Sequence, residues 1–479
     1  MGLFISSGCR VGGEAFNAGL ADGGCAVNSA PAEDPSAAEL AESFARRSGP
    51  TSPRDTLSTR QTHGVRRSGG VGRLPKTTVS QVRFAAAPAK AGLTLSELED
   101  IALGNNPAMA IAAARLDAAH GKWLQVGLPP NPIIGYSGDE MGDQGTSGQQ
   151  GGFIGQTFVR GAKLQLNRAV VDQEIIIAQQ ILITQQFRVL TDVRSAFYDV
   201  LVAQRRMVTA RELVTITQQA VKASEDLFKA KEVSQSIVLQ ARVESDRLKI
   251  LLRNAQNQHS AAWRRLSTVA GNPDMQPRPL AGKLDGAMPK LAWDDALRRL
   301  LSESPEMAVA AAQVERARRA VDRAHAEVIP DLFVQVGVQQ DSSTGDTITG
   351  VEVGLPLPIW NRNQGGIQQA EAKLTAAERN VDRVRLNLES RLAAVFQDYS
   401  NALYQVDQYS NQILPNADKA RQLVARGYQG GEVGFLTLLT AQRTYFQTRL
   451  SYIESLREMW IRATEIEGLL LKGSLQESQ

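Results

Sequence analysis

The chain is written twice. Leu93, Pro107 and Met109 return at the same spacing as Leu291, Pro305 and Met307, and the match continues through Pro130 with Pro330, Gly155 with Gly354, Phe197 with Phe396, and Glu232-Val233 with Glu432-Val433. A fold compatible with this pattern must set two copies of one supersecondary unit in equivalent places. The first repeat runs over residues 93–282 and the second over 283–472, followed by a short tail, 473–479. Residues 1–92 lie before both. They are rich in Gly, Ala, Ser, Pro and Arg and hold no sustained period, so they cannot bury enough apolar surface to offset the entropy of ordering and are expected to be disordered. Met1–Arg10 is too poor in apolar residues for a signal peptide, and neither Cys9 nor Cys25 follows the residues of a lipoprotein cleavage site.

Each repeat opens on helical signals. Thr94-Leu-Ser-Glu97 is a capping box, Asn106-Pro107 restarts the helix, and Pro129-Pro130 stops it. Strands follow, at about 132–159 in the first repeat and about 331–355 in the second. Leu332, Val334, Val336 and Val338 share one face, opposite Gln335, Gly337 and Gln339, while Val351, Val353 and Leu355 alternate with Gly350, Glu352 and Gly354. Between Gly354 and Gly366 the pattern changes from the period of a strand to that of a helix. Pro356 and Pro358 lack the amide proton of a sheet interior and suit a strand's end, and Gly365-Gly366 is expected to let the backbone turn.

The helices that follow are long. A heptad holds Val193, Val200, Met207, Val214, Val221 and Phe228 at one position, with Ala196, Ala203, Ala210, Thr217 and Ser224 three residues on, small enough for a neighbouring helix to approach closely. Leu392, Tyr399, Val406, Ile413 and Ala420 occupy the matching places of the second repeat, where Pro415 is expected to interrupt the helix. Outgoing helices at about 161–231 and 366–430 and returning helices at about 237–269 and 435–471 give two antiparallel coiled-coil hairpins. The first outgoing helix alone would reach about 100 Å at 1.5 Å per residue. The fold class is mainly α with a small β part, in two tandem repeats of short helices, β-hairpin and long antiparallel coiled-coil helices.

Composition removes several classes of function. A net charge of +3 argues against a dedicated nucleic-acid binder, and the histidines at 63, 120, 259 and 325 show no metal-ligand spacing. No phosphate-binding glycine loop, nucleophile elbow or convergent acid-base set is present, so the chain does not read as an enzyme and no cofactor is expected. No window approaches the ~18 apolar residues of a membrane-spanning helix. Two readings remain from the residues alone: a soluble coiled-coil scaffold, or a chain that crosses a membrane as part of a closed β-barrel.

The order of elements resembles the TolC-type outer-membrane efflux family over about residues 93–472. Its most specific stretches are Leu355-Pro-Leu-Pro-Ile-Trp-Asn-Arg-Asn-Gln-Gly365 and Gly431-Glu-Val-Gly-Phe-Leu-Thr-Leu-Leu-Thr-Ala-Gln-Arg443, which are similar to the heavy-metal branch of the cobalt-zinc-cadmium kind. The resemblance implies a homotrimer in which four strands per chain close one 12-stranded barrel in outer-membrane lipid, with the helices forming a periplasmic tunnel. It also implies a periplasmic adaptor and an inner-membrane pump of the resistance-nodulation-division type as partners, with the chain itself a passive duct. A duct for protein or drug export is the alternative.

The resemblance places Glu232, Val233, Ser234, Glu432, Val433, Gly434 and Phe435 at the tunnel tip, where the adaptor docks. Glu232 and Glu432 are candidates for drawing cations to the entrance; the simpler reading is that they are solvated turn carboxylates. The Asp, Tyr and Arg network that gates other members is not matched, since Gln240, Gly431 and Leu436 stand at those places. Gln240, Arg242, Gln442 and Arg443, with Glu244, are the gate candidates, surface pairing being the simpler role. Pro356, Pro358, Trp360, Asn361, Arg362, Asn363 and Gln364 form the joint between barrel and tunnel. Trp360 is expected to pack at the subunit boundary, with a membrane anchor, and Arg362 on lipid phosphate, as the other reading.

Overall fold

The computed structural model describes residues 92–145 and 147–476. The segment expected to be disordered, apart from Gly92, and the end of the tail, 477–479, lie outside the described residues, as do Cys9 and Cys25. In chain order the first repeat holds α1 (Leu95–Asn105), α2 (Pro107–Val126), β1 (Ile133–Asp139), β2 (Gln149–Phe158), α3 (Lys163–Lys229) and α4 (Gln235–Val269). The second holds α5 (Trp293–Glu303), α6 (Pro305–Ala326), β3 (Leu332–Asp341), β4 (Thr347–Gly354), α7 (Gln364–Gln408), a π-helical turn (Tyr409–Ile413), α8 (Leu414–Gln429) and α9 (Phe435–Glu467).

Local chemistry sets these boundaries. At α1 the Glu97 amide donates to Thr94 Oγ1 at 3.3 Å while the Thr94 amide donates to Glu97 Oε2 at 2.9 Å, a reciprocal cap. α3 carries neither Pro nor Gly over 67 residues, so nothing breaks it before the tip. Its seam is buried at Val193, Ala196, Val200, Ala203, Ala210, Val214, Thr217 and Ser224, while Phe228, at the end of the heptad, is exposed.

In the second repeat Pro415 does not end the helix. Its missing amide proton and its ring are absorbed by the π turn at Tyr409–Ile413, after which α8 resumes with Pro415 in its first turn. The extra residue of the π turn advances the seam by one position. Ile413 and Ala420, where the heptad predicted contacts, are exposed, and Tyr428 packs at the tip.

The four strands make one antiparallel sheet in the order β1-β2-β3-β4, with the two repeats joined through β2 and β3. Among the described residues the outer edges of β1 and β4 have no partner strand. The main core lies below the sheet, where Val189, Val193, Phe197 and Val200 of α3 meet Leu388, Leu392, Tyr399 and Val406 of α7 and Ile453, Leu456 and Met459 of α9. The linker between repeats is tied to that core by polar tips of buried aromatics. Trp263 Nε1 donates to the Met275 carbonyl at 2.8 Å, Trp460 Nε1 to the Leu284 carbonyl at 2.9 Å, and the Tyr399 hydroxyl donates to the Pro289 carbonyl and accepts from the Leu291 amide at 3.1 Å. Buried aromatic hydroxyls and indoles need such partners.

Candidate functional site

The sheet turns its oily side outward. The register sets Ile134 against Ile154, Ile154 against Val336 and Val336 against Val351, and Val334 against Val353, so these residues share one face. Ile134, Tyr136, Ile154, Val336, Val338, Val351 and Val353 are all exposed there. Gln150, Gln340 and Thr347 form a polar row on the same face toward the hairpin tips. The opposite face is mixed: it carries Ile133, Phe153, Phe333 and Ile348 beside a polar cluster in which Gln339 Nε2 donates to Ser137 Oγ at 2.9 Å and to Asp139 Oδ2 at 2.7 Å across Gly151. A contiguous exposed apolar face of this size marks contact with lipid or protein. Among the described residues no helix is long and apolar enough to cross a membrane.

Both strand-to-helix corners place a non-glycine residue in the left-handed region just before the helix: Ala162 at φ 54° before α3, where Gly161 at φ 69° precedes it, and Asn363 at φ 55° before α7. The expectation that Gly365-Gly366 makes the turn is corrected. Both lie inside α7, and Gly366 is there for space, since a Cβ on it would come within 2.2 Å of Asn363 Oδ1. The joint braces itself: the Asn363 amide donates to Asn361 Oδ1 at 3.0 Å, the Arg362 amide to Gln364 Oε1 at 2.8 Å, and Gln364 Nε2 to the Trp360 carbonyl at 3.1 Å. Asn363 Nδ2 donates to the Ala324 carbonyl at 2.8 Å, fastening the corner to the end of α6. Pro356 is exposed and Pro358 half-buried just beyond β4, and Trp360 is 85% exposed.

The first corner is held differently, by residues the sequence reading did not single out. Lys163, 5% exposed, donates to Asp331 Oδ1 at 2.9 Å, and the Arg160 amide donates to the same oxygen at 3.0 Å. Partial burial pushes the Asp331 carboxyl up, but the Arg160 amide and the Lys163 ammonium outweigh it and hold the group below the usual carboxylate range. No motif flags this pair, because its members stand in different repeats.

At the other end of the helices both hairpins turn through the same motif. Lys231, at φ 62°, and Gly431, at φ 74°, follow the helix ends, with the Glu232 amide donating to the Leu227 carbonyl at 2.9 Å and the Glu432 amide to the Gly427 carbonyl at 2.8 Å. Glu232, Ser234, Glu432 and Gly434 are exposed, Val233 and Val433 are half-buried, and Phe435 is buried in a small tip core with Ala241, Leu438 and Leu439. The gate candidates separate. Gln240 is exposed; Arg242 pairs with Glu225 at 2.7 Å within the first hairpin; Gln442 keeps a buried amide oxygen without a hydrogen-bond partner. Arg443 reaches across to Glu244 at 2.7 Å, joining the second hairpin to the first. Among the described residues no group of three or more His, Cys, Asp or Glu is arranged to hold a metal ion.

Residues 296–470 match the sequence profile of the outer membrane efflux protein family. Over 389 residues, 81% of this chain and 91% of the relative, the sequence is 27% identical to the cobalt-zinc-cadmium resistance protein CzcC of Cupriavidus metallidurans. The nickel and cobalt resistance protein CnrC of the same organism is 24% identical over 61% of this chain and 70% of its own length. The fold superposes on that of CusC with a TM-score of 0.68 at 17% identity, covering 81% of this chain and 96% of that one. The repeated hairpins and the outward apolar sheet thus stand beside a match of residues 296–470 to the outer membrane efflux protein family and a fold shared with CusC.

Proposed function

We propose that three copies of the chain form the outer-membrane duct of a tripartite efflux system, and that its cargo is heavy-metal cations. The observation that carries the reading is the four-stranded sheet with two unpaired edges and an exposed apolar outer face. Unpaired strand edges cannot lie in lipid, so the sheet requires partners that continue it into a closed barrel, and three copies would supply 12 strands. α3, at about 100 Å, gives the length of a tunnel that reaches across a periplasm toward an adaptor and a pump of the resistance-nodulation-division type. Support for the cargo comes from the metal-resistance relatives.

Cells lacking the chain are expected to become sensitive to zinc, cobalt or cadmium and to recover when it is supplied. The protein should fractionate with the outer membrane and cross-link as a trimer. Unchanged metal tolerance with altered tolerance of organic drugs would move the cargo assignment to drug export and leave the duct standing.

Glu232 and Glu432 would stand as six carboxylates around the inner mouth of a trimer, with Lys231 beside only one of each pair. Replacing both by Gln is expected to lower cation over anion preference by about twofold in a planar bilayer, read as a shift in reversal potential, with little change in conductance. An unshifted potential would leave them as solvated turn residues.

A further inference from the structure

Beyond α9 the chain is laid back against the helices as a strap. Leu469 and Leu470 take left-handed backbones at φ 55° and 61°, and Gly473 does so again at φ 80°. These turns bring the Gly473 and Ser474 amides onto the two carboxylate oxygens of Asp192 in α3, at 3.0 Å and 2.6 Å, while Gln185 Nε2 donates to the Ser474 carbonyl at 2.8 Å. Ser474 is thereby held 2% exposed, yet its hydroxyl has no hydrogen-bond partner among the described residues.

The strap borders a cavity of about 430 Å³ between the start of α2 and the middle of α3. Arg115 lines it from α2, Arg188 from α3 and Ser474 from the strap, beside apolar walls at Ile111, Ile181 and Leu475. Among the described residues neither arginine has an ion-pair partner, and Arg188 Nε is buried without any acceptor. No carboxylate of the described residues lines the cavity, and Asp192, one turn along α3 from Arg188, is engaged by the strap amides. Arg188 also borders a second cavity, where the other cations are matched: Arg391 by Glu306 at 3.0 Å and Lys472 by Glu465 at 2.5 Å. Pro107 and Ala108 of the first turn of α2 line the larger cavity and add the positive end of that helix.

Buried donors without acceptors are rare in folded proteins, and here two of them share one cavity with two uncompensated positive charges. A monocarboxylate would leave one guanidinium unneutralised. A phosphate monoester carries about −1.5 to −2 at neutral pH, and its oxygens match the planar fork of arginine. We propose that the cavity binds a small water-soluble phosphate, free or as a monoester of a compact organic group, between Arg115 and Arg188 with the Ser474 hydroxyl donating to it, and that the bound anion fastens the strap to α2 and α3. The volume and the apolar walls leave room for such a group beside the phosphate. Arg188 stands about 38 Å along α3 from Lys163, so the choice of a soluble phosphate over a membrane phospholipid rests on the barrel reading above.

The test is titration calorimetry of the solubilised full chain at fixed ionic strength with inorganic phosphate, methyl phosphate and acetate. One phosphate per chain is expected, and Arg115→Gln combined with Arg188→Gln should weaken its binding by at least about tenfold. Ser474→Ala should weaken it by about threefold while leaving the thermal midpoint of the unliganded protein in place, because that hydroxyl has no partner to lose. Phosphate should raise the midpoint of the full chain and leave that of the double arginine variant unmoved. Tighter binding of methyl phosphate than of inorganic phosphate supports the site with a monoester as occupant, and the reverse order supports it with free phosphate. Acetate binding as tightly as phosphate would overturn the assignment in favour of a carboxylate. Phosphate binding absent from the full chain, or unchanged in the double variant, would overturn the site itself. Phosphate bound to a protein that proves to be a soluble monomer would keep the site and remove the duct.

Discussion

Replacing Asp331 by Ala is expected to loosen the first corner by about 3–5 kcal/mol, because it leaves the Lys163 ammonium buried without a counter-charge. The reverse change is milder. In Lys163→Met the carboxylate of Asp331, a third exposed, keeps the Arg160 amide and regains water, so a loss of about 1 kcal/mol is expected. Asp331→Asn should fall between, since an amide oxygen still accepts from Arg160 but carries no charge. The pair also predicts a pH dependence. The folded protein holds the Asp331 carboxyl below its ordinary value, so its contribution is complete above the ordinary carboxylate range and is lost as pH falls through the lowered folded value. Thermal unfolding of the solubilised protein should therefore separate the full chain from Asp331→Asn at neutral pH, and the two curves should converge in acid. Equal stability of Asp331→Ala and Lys163→Met at neutral pH would show that the corner does not depend on neutralising the buried ammonium.

The repeat, the alternation of the strands and the seam of α3 were legible because each is a periodic signal summed over many residues. Val334, Val336 and Val351 declare their face by alternation, and the register then aligns them. The corners were not legible for the opposite reason: each depends on one or two dihedrals and a few contacts. Asn363 and Ala162 share the same left-handed backbone, yet Ala has no side chain that advertises it, while the neighbouring Gly365-Gly366 offers a false cue. Pro415 was visible, but whether a proline kinks, ends or merely shifts a helix is decided by what the neighbouring helix holds in place, here by a π turn that moves the seam one residue. The Glu244 and Arg443 pair was within reach as a set of charged residues above the turns. Its partners could not be assigned, since they lie in different repeats and depend on how the hairpins are set side by side.

That pair leads to the second large effect, in the variant Arg443→Glu. The arrangement of hairpins in the structure has Arg443 of α9 on Glu244 of α4, whose side chain is only 14% exposed, so separating the hairpins would cost the ion pair and leave a partly buried carboxylate. Reversing the arginine replaces attraction by repulsion, a change of about 2–3 kcal/mol per chain, or roughly 30- to 150-fold in the balance between the joined and separated arrangements. The helices have a place to bend. A cavity of about 320 Å³, with Leu439, Glu244 and Arg443 on its wall toward the tip and Leu213, Leu251 and Leu450 on its wall away from it, lies between the tip core around Phe435 and the main core that starts at Val406 and Ile453. The π turn at Tyr409–Ile413 lies about 20 residues from Gly431, and Leu213, Leu251 and Leu450 are about as far from their own turns, so all stand at one level some 30 Å above the tip. Below it the two hairpins are joined by the tip core and by Arg443 on Glu244; at that level Arg449 pairs with Glu212, and above it Arg457 on Asp199 adds to the main core. Arg443→Glu should accordingly raise the open fraction of single channels in a planar bilayer by at least about tenfold without moving the thermal midpoint of the main core. Combining it with Glu244→Arg should return the channel to its original behaviour. Single-channel records in which Arg443→Glu opens no more often than the unaltered protein would reduce the pair to surface decoration and place the restraint on the tip in the packing of Phe435, Leu438 and Leu439.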